Sequence, residues 1–372
     1  MNTKRNLLGQ LAFPLSLLAM QAPSGQSLTQ PSAAADAAAI TPLRLEKTQE
    51  PSRNRFQLGY RMAFNIAASF ENIGAYPAQS NPDAHPNPAH PGFSTRTYDD
   101  GFVGEDTTHD MHGNYQGTWY WGYQNSSQVQ GDTLVMHSSS SPGASSENRG
   151  ETLQHGIELT YSRELSRHEK WRLGLEGAFN FTPVCIKDSS RLASVYNRVS
   201  DVYQLNGVIP PSTLPYNGLF GGAGAVIGDS PTRSQSKLPE PITGSRSLEA
   251  DLFGFRVGPY LELPLGKHVS LDLNAGLAVV IARSDFGYNQ LVSTPDSGTF
   301  PQVGSSSASG VMVGGYAGAR ISVQFAKDWS AFGGAQFQDV GTYTHRSRAS
   351  GQSAKLDLSK SVFVSFGVSR SF

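Results

Sequence analysis

The sequence contains very little cysteine, and its charges are few and balanced. Cys185 is the one cysteine among 372 residues, which excludes an intramolecular disulfide and any zinc or iron–sulfur site built from the thiolates of one chain. Lys and Arg number 29 against 30 Asp and Glu. A basic surface for nucleic acid and an acidic, solvating chain are both disfavoured, so we expect no nucleic-acid partner.

A helix-favouring composition is lacking as well. Charged residues make up 16%, against about 25% in ordinary soluble domains. Glycine occurs 39 times, and each glycine costs about 1 kcal/mol relative to alanine inside a helix. Helical bundles, coiled coils and doubly wound α/β folds are therefore disfavoured. Beyond the N-terminal segment, no apolar run approaches the roughly 18 residues of a membrane-spanning helix.

The N-terminus resembles an export signal. Lys4 and Arg5 precede a short apolar segment from Leu7 to Met20, the order found in secretory signal peptides. We predict a signal peptide over residues 1–22. Its cleavage site is left open, because Pro23 would follow a cut after Ala22. Residues 23–53 are rich in Ala, Ser, Gln and Pro and are predicted to form a flexible periplasmic leader.

Alternation of apolar and polar residues recurs eight times in residues 54–372. A pleated strand sends successive side chains to opposite faces, so each segment predicts a strand with one apolar and one polar face. The segments are near or above the nine to eleven residues that a tilted strand needs to cross a bilayer, whereas strands in soluble sandwiches usually have about five or six. They cover residues 56–66, 156–162, 171–181, 253–263, 269–281, 311–325, 329–340 and 362–372.

The polar faces carry charges in mid-strand, four of each sign. In a soluble sandwich or barrel these charges would face water, and in a membrane barrel they would meet in the lumen, so alternation alone permits both folds. We predict that they pair inside a barrel of about eight strands, which leaves room only for side chains; the alternative role is gating a narrow passage. They are Arg61, Glu158, Arg172, Glu176, Arg256, Glu262, Asp272 and Arg320.

The lengths of the connections favour the membrane barrel. Short connections at 163–168, 264–268 and 326–328 alternate with longer ones at about 71–150, 183–246, 285–307 and 344–355. Outer-membrane barrels have short turns at the periplasmic end and long loops outside. The fold class predicted is an all-β, up-and-down antiparallel transmembrane barrel, with eight strands closed by pairing of the last with the first.

Ten strands remain an alternative. Residues 119–123 and 133–136 could form an additional hairpin. Both runs are shorter than a bilayer crossing. We therefore favour an extramembrane hairpin or a loop packed on the barrel rim.

The whole region resembles the small eight-stranded outer-membrane barrels, the OmpA-transmembrane-domain and OmpX-like group. The C-terminal strand carries the most specific match, with Val364, Phe366, Val368 and the terminal Phe372, while Arg370 departs from the usual apolar residue. The resemblance implies the outer membrane of a Gram-negative-type bacterium, with both termini periplasmic. It also implies two partners, outer-membrane lipid and the barrel-assembly machinery that reads the last strand.

No catalytic, cofactor or metal site is predicted. His109 and His112 flank Asp110, but their spacing differs from the helical HExxH arrangement, and a solvated polar loop is the better interpretation. Nothing in the spacing of Ser126, Glu151 and His155 indicates a nucleophile and its base. We expect a surface or structural protein whose long loops bind an unknown extracellular ligand or mediate adhesion. The alternatives are a narrow porin-like channel and, less favoured, a lipid-modifying enzyme at the rim.

Overall fold

The computed structural model describes residues 53–106, 117–118, 120–149, 153–220, 225–296 and 298–372. The signal peptide and nearly all of the leader lie outside the described residues. Eight strands form the barrel wall. They are β1 (Asn54–Phe64), β2 (Gln154–Arg167), β3 (Arg172–Asp188), β4 (Thr232–Pro264), β5 (Val269–Thr294), β6 (Gly298–Gln324), β7 (Trp329–Asp339) and β8 (Ser361–Ser371).

Each barrel strand pairs antiparallel with the next, and the ring closes between β8 and β1. Arg55 lies opposite Ser371, and Phe64 lies opposite Val362. Beyond the last pair, the Phe372 amide donates to the Asn54 carbonyl oxygen at 2.9 Å. The prediction of an eight-stranded up-and-down barrel is therefore confirmed.

The two ends of the barrel differ. At one end, here called the turn end, the connections are residues 168–171, 265–268 and 325–328. The first of these lies later than the predicted 163–168, because β2 continues through an irregularity between Glu164 and Ser166 to Arg167. All longer connections lie at the opposite end, here called the loop end.

Three wall strands extend far beyond a bilayer. β4, β5 and β6 have 33, 26 and 27 residues. The predicted loops 183–246 and 285–307 are consequently wrong in extent: β3 runs to Asp188, β4 begins at Thr232, and residues 295–297 alone connect β5 to β6. The prediction failed because it followed one face of each strand, and the apolar residues move to the other face beyond the barrel.

The remaining strands lie at the loop end and, with the extensions of β3–β6, form what we call the head. One four-stranded sheet comprises Ala67–Ile73, Ala144–Arg149, Thr342–Arg346 and Ser353–Asp357. A five-stranded sheet comprises His85–Pro86, Phe93–Tyr98, Gly101–Asp106, Tyr120–Tyr123 and Tyr216–Asn217. Val129–Gln130, Thr133–Ser140 and Leu192–Gln204 extend the wall sheet from β4, and Ser126–Gln128 form a 3₁₀ turn.

The two runs considered as an additional hairpin do not enter the barrel wall. Tyr120–Tyr123 belongs to the five-stranded sheet, whereas Thr133–Ser140 pairs with Leu192–Gln204. Both are therefore parts of the head and do not pair with each other. Within the described ranges, no helix is long and apolar enough to cross a membrane.

Two apolar clusters hold the head together. The larger one fills the space between the four-stranded sheet and the inner face of β3–β6, with Phe70, Ile242 and Phe286 fully buried. The smaller one lies beneath the five-stranded sheet around Trp121, Leu134 and Tyr203. The predicted long loop 71–150 thus belongs largely to a folded β structure with its own core.

Candidate functional site: the barrel lumen and the head

A belt of exposed apolar side chains surrounds the barrel. On β5 it runs from Val269 to Ile281, and Leu277 near its middle is 64% exposed. At about 3.3 Å per residue and a tilt of about 40°, this run spans about 30 Å, close to the hydrocarbon thickness of a bilayer. In water an exposed apolar surface of this extent is unfavourable, whereas lipid accommodates it without cost.

The belt ends at one row of paired residues. Its last row on four neighbouring strands is Phe181, Phe253, Ile281 and Val311. In the next outward-facing row Asp251 and Arg283 lie opposite each other, both exposed. The exterior of the same continuous strands thus changes from apolar to charged within two residues.

The inner face changes in the opposite sense. Inside the belt the inward side chains include buried charged groups, such as Arg256 on β4 and Arg320 on β6. Above the belt they become apolar, with Ile186, Leu248 and Phe286 buried in the head core. Since the backbone stays extended, the inversion reflects a change of surroundings: below the row the exterior suits lipid, and above it the exterior suits water.

The structure places all eight predicted lumen charges in ion pairs. Near the loop end of the lumen, Glu158 accepts a hydrogen bond from Arg61 and forms an ion pair with Arg256 at 2.8 Å. The side chains of all three are at most 8% exposed. One carboxylate therefore neutralises part of the charge of two buried guanidinium groups.

The other five predicted charges form a chain that runs towards the turn end. Arg320 lies 3.2 Å from Glu176 and 3.1 Å from Asp272. At its far end, Arg172 lies 2.9 Å from Glu262. Arg55, which is not among the eight predicted charges, connects the two parts, 3.3 Å from Asp272 and 3.1 Å from Glu262. The lumen network therefore has five arginines and four carboxylates, not the equal numbers predicted.

Aromatic rings inside the lumen provide a second contact for the buried arginines. The Arg61 guanidinium lies 3.7 Å from the centre of the Phe363 ring, and that of Arg256 lies 4.8 Å from the Tyr316 ring. Arg320 and Arg55 face Phe332 and Tyr260 at 5.7 and 5.5 Å. Cation–π contacts of this kind are strongest where water is excluded. Phe332 and Phe363 occupy inward positions of their strands, and this register signal could have identified them.

The head core closes the lumen at the loop end. The strand Ala67–Ile73 lies inside the space enclosed by the wall, and its Phe70 ring is 5.9 Å from that of Phe286. Ala278 and Val280 of β5 are buried in the same cluster, and Ala278 lies opposite Arg256 in the strand pairing. Side chains therefore occupy the interior both at the level of the belt and above it.

A buried carboxylate joins the five-stranded sheet to the extended wall. Asp201 is fully buried and accepts hydrogen bonds from Tyr98 at 2.6 Å and from two nitrogens of Arg233 at 2.8 Å. Burial by itself raises the pKa of Asp201, but the hydrogen bonds from Arg233 and Tyr98 hold this pKa below its ordinary value. Arg233 also binds Asp83 at 2.6 Å, so one arginine fixes three segments of the head.

Residues of the C-terminal strand lie on the belt. Phe366, Val368 and Phe372 are exposed on the barrel exterior, and Val364 is half-buried beside them. Phe372 stacks on Phe56 with ring centres 5.8 Å apart. The Arg370 guanidinium lies 5.6 Å from the Trp329 ring, so the residue that departs from the family pattern is held at the barrel surface.

The residues considered for metal or enzyme chemistry do not form a site in the described part of the chain. His109, Asp110, His112 and Glu151 lie outside the described residues. His155 hydrogen-bonds Tyr60 on the barrel exterior, whereas Ser126 belongs to the 3₁₀ turn of the head. Among the described residues, no group of three or more His, Cys, Asp or Glu side chains could hold a metal ion.

Comparison with solved structures finds other β-barrels. Ail, the attachment invasion locus protein of Yersinia pestis, matches in complex with the heparin analogue sucrose octasulfate at 9% identity over 85% of this chain and 99% of that chain, with a TM-score of 0.27. The outer membrane protease OmpT from Escherichia coli matches at 8% identity over 87% and 98%, with a TM-score of 0.30. A FadL homologue of Pseudomonas aeruginosa matches at 12% identity over 86% and 90%, with a TM-score of 0.20.

No protein-family model matches the sequence, and no curated protein matches it. At these identities and TM-scores, the likeness assigns no activity, and the fold rests on the strand pairing described above.

Proposed function

We propose that this chain is an integral outer-membrane β-barrel that holds a folded head outside the cell, and that the head mediates surface contact or adhesion. The proposal rests on one observation: at a single row of residues, the apolar side chains change from the outer to the inner face of the strands. Below the row Phe253 and Ile281 face outward, and above it Asp251 and Arg283 do. A soluble barrel has one exterior solvent and no reason for such a change.

The filled interior supports a scaffold in preference to the porin-like channel. The buried ion pairs around Glu158 and Arg320 occupy the lumen at the level of the belt. The apolar cluster around Phe70 occupies it above. Conduction requires a continuous wet path. We therefore expect no steady conductance when the purified protein is inserted into planar bilayers.

Orientation and membrane insertion can be tested together by cysteine labelling on intact cells. In a Cys185→Ser background, Ile209→Cys adds a thiol at a loop-end residue that is 90% exposed. Lys267→Cys adds a matched thiol in an exposed turn-end connection. We expect a membrane-impermeant maleimide to label Ile209→Cys on intact cells, and to label Lys267→Cys only after permeabilisation.

Two results would contradict the proposal. Labelling of Lys267→Cys alone on intact cells would place the head in the periplasm. Recovery of the unlabelled protein in the soluble fraction without detergent would mean that the belt does not contact lipid. Because both variants lie in exposed connections, neither substitution disturbs the core.

A further inference from the structure

One strand edge of the head is unpaired, and after Pro301 it carries none of the usual protection against pairing. β6 pairs with β5 along its whole length, but β7 reaches only as far as Gly315. No other described strand pairs with β6 between Gly298 and Gly314. Within this stretch, Val303–Ser309 lies above the apolar belt, which ends at Val311 on this strand.

The register shows which backbone groups face this free edge. The Gln324 amide donates towards β5, to His268 at 2.7 Å, while the Phe325 amide donates towards β7, to Trp329 at 3.1 Å. The β5–β6 pairing has no register shift from Val323 to Gly298. The N–H and C=O groups of odd-numbered residues therefore face the free edge, which places those of Val303, Ser305, Ser307 and Ser309 there.

A second free edge in the head provides an internal comparison. β4 pairs with β5 only from Ile242 onward, which leaves residues 233–241 open on that side. By the same register, the odd-numbered residues face outward along this edge. Two of them, Pro239 and Pro241, have no N–H to donate, and Arg233 and Lys237 are cationic. Prolines and charges are the usual means by which proteins prevent an edge from pairing with another chain.

Beyond Pro301, the β6 edge lacks both devices. Residues 302–314 contain no charged residue and no proline, and five of residues 303–309 are serine or alanine. The outward face next to this edge is partly apolar, since Val303 is 68% exposed and Leu291 of the adjoining strand is 46% exposed. An extended chain could therefore form hydrogen bonds with the edge and pack an apolar side chain against Val303.

We propose that the β6 edge at Val303–Ser309 binds an extended, uncharged, proline-free segment of another protein by strand addition. Backbone hydrogen bonds give affinity in this mode of recognition, and alternate side chains give selectivity. This binding site would explain how the head makes surface contact. The inference rests on the proposed function only in requiring that the head lies outside the cell.

A second copy in the same membrane does not fit as the occupant. Barrel strands tilt by about 40° from the membrane normal. Two copies related by a twofold axis along that normal would cross their β6 strands at about 80°. Paired strands differ by only about 20–25°. The geometry therefore favours a free extended segment.

Binding of a synthetic strand to the purified full-length protein in detergent tests the proposal. The probe is a fluorescein-labelled peptide with the sequence of residues 286–292, which is uncharged, proline-free and already pairs with β6 across its other edge. We expect saturable binding by fluorescence anisotropy. We also expect slower hydrogen exchange at the amides of Val303, Ser305, Ser307 and Ser309, and no binding of the same peptide with N-methyl groups on alternate residues.

Matched variants separate the edge from the rest of the head. Ser305→Pro removes one free-edge N–H that no strand of the head uses, and should weaken binding by at least about tenfold. Gln235→Pro makes the same change on the protected β4 edge and should leave binding unchanged.

Several outcomes would overturn the assignment. They are no saturable binding to the wild-type protein, binding that Ser305→Pro leaves intact, slow exchange of these amides in the peptide-free monomer, and a dimer in detergent that Ser305→Pro dissociates. The last two would identify the chain's own residues or a second copy as the occupant. All measurements use detergent-solubilised protein, so their failure leaves the membrane proposal standing.

Discussion

Glu158→Gln is the substitution that tests the lumen network most directly. The glutamine has nearly the same size and keeps an oxygen acceptor, but it removes the negative charge shared by Arg61 and Arg256. Both guanidinium groups are at most 3% exposed, so bulk water cannot replace the lost partner. Removing one partner of a buried ion pair typically costs about 3–5 kcal/mol. We expect a loss in this range, because one carboxylate serves two cations.

An exposed ion pair in the same chain provides the control. Lys355 and Glu71 form a contact in the four-stranded sheet, and their side chains are 38% and 35% exposed. Pairs of this kind contribute less than about 1 kcal/mol. Glu71→Gln should therefore lower the free energy of unfolding by less than about 1 kcal/mol. In the Glu158→Gln background, Arg61→Met should restore part of the lost stability, because it removes one of the two unpaired cations.

The measurement is reversible denaturant unfolding of the full chain in detergent micelles or lipid vesicles, followed by tryptophan fluorescence. The free energy of unfolding of each variant is compared with that of the wild-type protein. Equal losses for Glu158→Gln and Glu71→Gln would refute the reasoning. Such a result would mean that the lumen is hydrated well enough to screen its charges, and the channel hypothesis would then regain support.

Further predictions concern the head and the belt. Burial raises the pKa of Asp188, but hydrogen bonds from Ser146, the Ser190 backbone and Arg246 outweigh it and lower the pKa to about 2. The ionised Asp188 carboxylate should therefore stabilise the folded state fully above the unfolded pKa of about 3.9, and this stabilisation should be lost as the pH falls towards 2. Asp188→Asn should remove this part of the pH dependence of the free energy of unfolding. Leu277→Arg, at the middle of the belt, should cost about 2–4 kcal/mol in vesicles, and the same change beyond the belt at Val303 should cost far less. Equal costs at the two positions would show that the belt does not lie in lipid.

The local alternation of apolar and polar residues predicted most of the barrel. In a segment such as Phe56–Ile66, the residue order alone shows which side chains share a face, because the pleat repeats every two residues. All eight predicted strands therefore appear in the wall, and the predicted charges fall on its inner face. Arg55 was missed because it precedes the first apolar residue of its alternating run, and Phe332 and Phe363 because apolar residues were not expected among inward positions.

The head could not be read in the same way. Beyond Phe181, Phe253 and Ile281 the apolar residues change face, so a pattern followed along one face ends there although the strand continues. The short strands within 71–150 also find partners at distant positions, as when Thr133–Ser140 pairs with Leu192–Gln204.

The sequence by itself determined the number of wall strands, the face that each strand turns outward within the belt, and the short connections at the turn end, since these depend on neighbours one or two residues away. The tertiary structure decided which carboxylate each buried arginine contacts, how the head core closes the lumen, and which strand edge is left without a partner. Those features depend on contacts between residues that are distant in the chain, and they exist only once the ring has closed.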